Sequence, residues 1–329
     1  MIGDLSQLRA SIVIRAYNEA LHIERLLTGI RQQTLDGEPV QDIEVILVDS
    51  GSSDGTVEIA SQFKAPFPIH IVHIQPEEFT FGRSLNLGIQ HAQSSRIVIA
   101  SAHVYPVYPD WLEHLLAPFT DEQVVLTYGK QRGNHLSHFS EQQIFASWYP
   151  EQSQPRQTHP FCNNANAAIR RSAWEVHPYD ESLSGLEDME WAKWAVQQGY
   201  AISYSAEAEI IHVHQESPRS VFNRYRREAI AFKRIYPQER FGRVDLVRLV
   251  ARNILSDVQH AAQQKVLLRS IGSIFWFRWM QFWGTYQGYR HTGPLTWQLR
   301  QTFYYPSNGN ITHQQPARAV EPIRYHDLE

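Results

Sequence analysis

The stretch SIVIRAYNE (residues 11–19), answered downstream by EVILVDSGSSDGT (residues 44–56), decides the fold. Each opens as a short apolar run rich in β-branched residues and closes in a polar turn. Between them, NEALHIERLLTGIRQQ carries Leu21, Leu26, Leu27 and Ile30 at helical spacing. Strand, helix and strand in that order make a βαβ unit, which feeds a parallel sheet. The same reading predicts strands over 11–14, 44–48, 69–74 and 96–100, with a helix opening after Gly82. Asp54 stands where it caps a helix beginning near Gly55, because its carboxylate accepts from backbone N–H groups that otherwise lack partners. Past Val124 the alternation loosens into strands and loops. GLEDMEWAKWAVQQG then predicts a helix over 187–198 closed by Gly199, and from Pro218 onward helices dominate. No internal repeat or low-complexity tract interrupts this order.

At 329 residues, 43% apolar and 19% charged, the chain is long enough to bury a large core, which excludes disorder and collagen-like repetition. The single Cys162 excludes a disulfide framework and any multi-thiolate zinc site, and points to a reducing compartment. The opening residues lack an apolar signal core, and no uncharged stretch of about 18 apolar residues occurs. The expected location is therefore cytoplasmic, either free or at the inner face of the membrane. Residues 219–300 hold fifteen Lys and Arg against four Asp and Glu, so the rest of the chain carries fifteen positive and thirty negative charges. An acidic body with a basic, aromatic C-terminal part follows, suited to phosphates or an anionic membrane.

In an open parallel sheet, ligands bind outside the carboxyl ends of the strands, where helix N-termini point partial positive charge at phosphate. AYNE after the first strand, DSGSSDGT after the second and SAHVYP after the fourth all fall there. Three polar clusters at successive strand ends exceed ordinary turn chemistry.

Those residues resemble the opening of family 2 glycosyltransferases with the GT-A fold, in Ile14-Arg15-Ala16-Tyr17-Asn18-Glu19 and Val48-Asp49-Ser50-Gly51-Ser52-Ser53-Asp54-Gly55-Thr56. The similarity continues through Arg83-Ser84-Leu85-Asn86-Leu87-Gly88, Asn163-Asn164-Ala165-Asn166-Ala167-Ala168-Ile169-Arg170-Arg171 and Gly185-Leu186-Glu187-Asp188. It covers about residues 10 to 215 and is nearest in character to bacterial rhamnosyltransferases. The resemblance implies an α/β GT-A domain over 1–215, built on a Rossmann-like nucleotide-binding sheet, followed by a basic, aromatic helical region over 216–329. It also implies an inverting transfer from a nucleoside diphosphate sugar to a glycan or lipid-linked acceptor in surface polysaccharide assembly.

By that resemblance, Ala16, Tyr17, Glu19, Asp49 and Ser50 form the nucleotide-sugar site, with Tyr17 and Glu19 near the nucleoside and Asp49 near the base or ribose. Ser50 departs from the many relatives that place a second acid there. Arg83 faces the donor in relatives, where a guanidinium pairs with phosphate oxygens in bidentate fashion. A cation in a first helical turn opposes the helix dipole, so Arg83 needs some such reason to be there. Asn163, Asn164 and Asn166 precede the strand beneath the sugar; carboxamides read hydroxyls because they both donate and accept, although Asn also forms turns readily. Glu187-Asp188 matches the Glu-Asp pair of inverting relatives, with Asp188 as the base that deprotonates the acceptor. The ordinary alternative is that both acids favour the dipole of their helix.

Ser101-Ala102-His103 stands where GT-A enzymes usually carry Asp-x-Asp to bind a divalent metal. Polypeptide N-acetylgalactosaminyl transferases have a His in the last position as a manganese ligand. His103 is thus one candidate ligand for Mn2+ or Mg2+, and His212 or His214, in the strand-like IIHVH, is a second. The alternative is that these histidines contact the diphosphate directly or bond structurally without a metal.

Trp191 and Trp194 offer a stacking platform for a sugar or simply pack in the core. Arg219, Arg224, Arg226 and Arg227 could reach a diphosphate or lie on a solvated helix. The segment 271–283, including IFWFRWMQFW, is too short and polar to span a membrane; it reads as either an interfacial helix giving peripheral membrane contact or a buried packing helix. No nucleic-acid module is present. Two rivals remain. A sugar-1-phosphate nucleotidyltransferase would need a Gly-rich basic loop where RAYNE stands, and a non-catalytic nucleotide-sugar or glycan-binding module would fit the missing Asp-x-Asp.

Overall fold

In chain order the elements are β1 (Ala10–Ala16), α1 (Ile23–Arg31), a hairpin of β2 (Thr34–Leu35) and β3 (Glu38–Pro39), β4 (Ile43–Asp49), α2 (Thr56–Gln62), β5 (Ile69–His73), α3 (Phe81–His91), β6 (Arg96–Ser101) and β7 (Val104–Pro106). There follow α4 (Trp111–Leu116), β8 (Val124–Arg132), α5 (Phe139–Trp148), β9 (Asn166–Arg170), α6 (Arg171–Val176), α7 (Glu187–Gln197) and β10 (Ala201–His212). The chain continues with α8 (Pro218–Ile235), α9 (Arg243–Gln263) and α10 (Leu267–Tyr289). They are seen in a computed structural model that describes residues 8–157, 159–213, 216–290 and 320–325.

Eight strands form one mixed sheet in the order β5-β4-β1-β6-β9-β8-β10-β7. The half expected from βαβ periodicity is parallel: β5, β4, β1 and β6 run the same way. β4 is buried along its whole length, as a parallel strand covered on both faces must be. Alternate residues serve the two sides, Val13, Ile46 and Val48 joining one apolar cluster and Ile12, Ile14, Val45 and Leu47 the other. The second half departs from the parallel pattern. β9 runs antiparallel to both β6 and β8, and β7 antiparallel to β10. Because β9 starts opposite the end of β6, with Asn166 across from Ala100, the loop before β9 lies at the carboxyl rim of β1, β4 and β6. At the β7 edge, Ile323 donates its N–H to the carbonyl of Val107, and the Tyr325 hydroxyl reaches the carbonyl of Pro106, so the chain's C-terminal portion meets this edge.

The C-terminal helices share a core with the sheet: Ala229, Phe232, Leu246, Phe282 and Tyr286 belong to the same apolar cluster as Val13 and Ile46. α10 crosses α8 at very short range through Gly284 and Gly288. A Cβ on Gly284 would stand 2.4 Å from the carbonyl oxygen of Phe222, and one on Gly288 2.5 Å from that of Arg226. The polar residues that interrupt 271–283 point inward. Arg278 is buried and bidentate to Asp257, at 2.7 and 2.8 Å, and also bonds Gln281 and the Ser140 carbonyl. Trp276 packs edge-on against His138, whereas Phe275 and Trp279 are exposed. The segment is therefore a packing helix that also leaves an aromatic face in solvent. No helix among the described residues is long and apolar enough to cross a membrane.

Candidate functional site

Two of the three rim loops are locked to each other. Ser50 donates both its N–H and its hydroxyl to the carbonyl of Ala16, at 3.1 and 3.2 Å. Asn18, held at φ 55°, donates its N–H to the Ser52 hydroxyl and accepts from the Ser53 N–H, each at 2.9 Å. Glu19 donates its N–H to Thr56 Oγ1 at 2.7 Å. Asp54 accepts from the Ala20 N–H with one oxygen and from Thr56 with the other. It thus holds the first N–H of α2 and ties in the first loop from one position before the cap, which is Gly55 at φ 99°.

Within this frame Ala16 and Ser50 are buried and act on each other, whereas Tyr17 stands 59% exposed at the rim. Asp49 is buried at the end of β4 and accepts from the N–H groups of Gly51 and Ser52, with His73 Nδ1 at 3.5 Å. A carboxylate has about four lone-pair positions, so these bonds leave capacity for a base N–H or a ribose hydroxyl.

The third loop joins through His103. Its Nδ1 lies 2.7 Å from Glu19 Oε1, its Nε2 3.3 Å from the Ser101 hydroxyl, and its ring 5.0 Å from that of His212 at an interplanar angle of 25°. His212 Nδ1 is in turn 2.8 Å from Gln131 Oε1. Glu19, the Ser101–His103 loop and His212, from three distant parts of the chain, thus meet at one place. His214 lies outside the described residues.

Asp188 is the second residue of α7, which Glu187 opens directly after Leu186, whose φ of 57° turns the chain into the helix. One carboxylate oxygen accepts from the Asn164 N–H at 3.1 Å and the other from the Met189 N–H at 2.8 Å. Asn164 belongs to the loop that precedes β9, and the next residue, Ala165, accepts from the Ser101 N–H, so Asp188 sits at the same rim as the three loops. Asp188 is 9% exposed, and burial, with the charge of Glu187 second, pushes its carboxyl up to about 7. Two N–H bonds and the cation of Arg15 act in the opposite direction. Arg15 Nη1 meets Glu187 Oε1 at 3.1 Å. The Cys162 thiol, itself pushed well up by burial, donates to the Asp188 carbonyl at 3.3 Å.

Other expected residues take structural positions. Asn166 is fully buried, its oxygen accepting from Trp111 Nε1 and its amide donating to the carbonyls of Lys130 and Ala208, so its carboxamide knits the sheet and does not reach a sugar. Arg83 does need a partner in the first turn of α3, and two carboxylates supply it: Glu78 at 3.1 Å and Glu181 at 3.6 Å. Trp191 is buried with its N–H on the His177 carbonyl, and Trp194 stacks on His177, which favours core packing over a sugar platform. Arg224 is ion-paired to Glu141 and Glu216. Arg227 lies over the Phe81 ring at 4.6 Å, and Arg15 lies over the same ring at 4.8 Å. Arg15 was not among the expected site residues. The available signal was a cation inside an otherwise apolar strand, which demands a partner.

For a metal, the donors gathered are Glu19 and His103, with His212 beside them. Among the described residues no group of three or more His, Cys, Asp or Glu is arranged to hold an ion. The set fits an ion only where phosphate oxygens complete the shell, as hard divalent cations permit.

The sequence model of glycosyl transferase family 2 matches residues 11–177. The O-antigen chain rhamnosyltransferase RfbN of Salmonella typhimurium is 29% identical over 66% of this chain and 70% of its own length. The O-antigen chain rhamnosyltransferase WbaN of Salmonella anatum is 30% identical over 56% of this chain and 61% of its own length. Among solved structures, the mannosyltransferase PcManGT of Pyrobaculum calidifontis, in complex with GDP-Man and Mn2+, superposes with a TM-score of 0.56 at 20% identity, covering 87% of this chain and 86% of that one. This last likeness establishes a shared fold.

Proposed function

The chain belongs to glycosyl transferase family 2, and on that premise we propose that it transfers a sugar, with inversion, from a nucleoside diphosphate donor to a hydroxyl of a glycan or lipid-linked acceptor in surface polysaccharide assembly. The observation that carries this reading is a buried carboxyl, Asp188, raised to about 7 and fixed at the rim where three strand-end loops converge. A general base works best with a pKa near the working pH. Asp188 takes the acceptor's proton as the hydroxyl oxygen attacks the anomeric carbon from the face opposite the diphosphate. The C–O bond to the diphosphate breaks in the same displacement, and the configuration inverts. The interlocked loops of Tyr17 and Asp49 hold the nucleoside, and Asp49 gives polarity to base or ribose recognition.

Glu19 and His103 would hold a divalent ion, Mn2+ or Mg2+, against the donor; its chemistry is to neutralise charge on the departing diphosphate. Independently of any ion, the Glu19–His103 hydrogen bond fixes the orientation of the imidazole.

A panel of labelled nucleoside diphosphate hexoses and deoxyhexoses tests the reading. One donor should be consumed by the wild type and not by Asp188→Asn; equal consumption by the two proteins would remove Asp188 from its role. A chelator should abolish turnover, manganese should restore it, and His103→Ala should weaken the rescue. Full turnover in chelator would end the metal part of the proposal.

A further inference from the structure

A helix at the surface of a folded body normally turns its apolar side inward. α10 does the reverse over part of its girth: Arg278, Gln281 and Thr285 are buried, while Leu268 (96%), Phe275 (52%) and Trp279 (45%) are exposed. With Gly272 these positions recur every three or four residues and form one stripe, continued by Trp283, whose ring stacks on Trp279 at 5.8 Å. α9 carries a second stripe, Val244, Val247, Ala251 and Leu255, also exposed.

The contacts between the two helices place both stripes on one side. α9 and α10 run antiparallel, with Phe241 stacked on Tyr289, Arg243 at the Tyr286 hydroxyl, Asp257 on Arg278, and Ala261 clustered with Ile274. Ile254 and Val258 line the seam from the α9 side, packed beside Leu267. At about 100° per residue, Val244, Val247, Ala251 and Leu255 lie just beyond that seam on the side away from the core, and so does the α10 stripe. The hairpin therefore presents two adjacent apolar strips on a common outward face.

The net charge around this face is positive. Arg248, Arg252, Lys265 and Arg269 are exposed on the hairpin, whereas its two acids are engaged, Asp257 with buried Arg278 and Asp245 with the N–H of Gly242. Contiguous exposed apolar surface marks an interaction site. An apolar strip with Trp and Phe, bordered by cations, matches a bilayer surface: side chains enter the acyl boundary while Arg and Lys meet anionic headgroups. We propose that the outward face of the α9–α10 hairpin is a docking surface for an anionic phospholipid bilayer. This goes beyond the catalytic reading and does not depend on it. The face is coupled rigidly to the site side of the molecule, because α10 grips α8 through Gly284 and Gly288, and α8 carries Arg227 to Phe81.

The test uses the full chain and sedimentation with vesicles, either pure phosphatidylcholine or phosphatidylcholine mixed with phosphatidylglycerol. The wild type should bind the mixed vesicles, more weakly as salt rises. R248E/R269E should lose that binding by about tenfold or more, since one basic residue near an anionic surface is worth about fivefold in partitioning. F275S/W279S should lose it as well, and all these positions are exposed, so circular dichroism should record unchanged folding. Donor consumption without vesicles should be the same in all three proteins, which separates this proposal from the catalytic one. Failure of the wild type to bind mixed vesicles, or undiminished binding by F275S/W279S, overturns the proposal. So does light scattering in which the wild type is a dimer that F275S/W279S splits, with no vesicle binding by either, because a second copy would then be the occupant.

Discussion

Replacing Asp188 by Asn should remove turnover and, at alkaline pH, make the protein more stable. Raising the carboxyl from its ordinary 3.8 to about 7 means that ionised Asp188 costs the folded state about 4 kcal/mol, at about 1.4 kcal/mol per factor of ten in affinity for the proton. The folded-state pKa is the higher one. The stabilisation from proton uptake is therefore complete below the ordinary carboxyl range and lost as pH rises through about 7. Asparagine escapes this cost but accepts poorly from one of the two N–H groups, Asn164 or Met189, that now face carboxylate oxygens. That loss is about 2 kcal/mol and independent of pH. Asp188→Asn should thus exceed the wild type by about 2 kcal/mol near pH 8 and match it near pH 5.5, a change worth about 3 °C in melting temperature. Thermal melts of both proteins at the two pH values measure the gap. A gap that stays constant between them would refute the argument, because the buried carboxyl would then not carry the raised proton affinity on which its role as base rests.

Arg15→Met removes the cation that opposes Glu187, so the Asp188 carboxyl should rise further and the acidic limb of kcat/KM should move up by about one pH unit; an unmoved limb in the pH–rate profile would contradict this. Asp257→Asn leaves the guanidinium of Arg278 buried without its counter-charge and should cost about 3–5 kcal/mol, whereas Asp257→Leu with Arg278→Met should cost much less. Urea unfolding of both variants decides the point, and equal losses would show that the ion pair is not what the site requires.

The parallel half of the sheet and its polar rim were legible because they follow from local rules: β-branched runs, helical spacing, and turn residues at strand ends. The start of α7 was equally plain, since two acids open an amphipathic helix that a glycine closes. Partners distant in sequence were not legible. Asn166 looks like a hydroxyl reader by residue type, yet Trp111, Lys130 and Ala208 surround it. Arg278 looked like an interruption of an apolar helix, and its direction is set by Asp257 on another helix. The antiparallel turn of β9 and β7 lacks the periodic helices that announce the parallel strands. Arg15 is marked locally as a cation in an apolar strand, but its counter-charge, Glu187, lies 172 residues away.

The most direct test of the account is the anomeric configuration of the product, read by proton NMR on the glycoside formed from an α-linked nucleoside diphosphate sugar. A single displacement driven by Asp188 predicts a β-linked product. An α-linked product would contradict it, since retention requires a second displacement or a different reacting face.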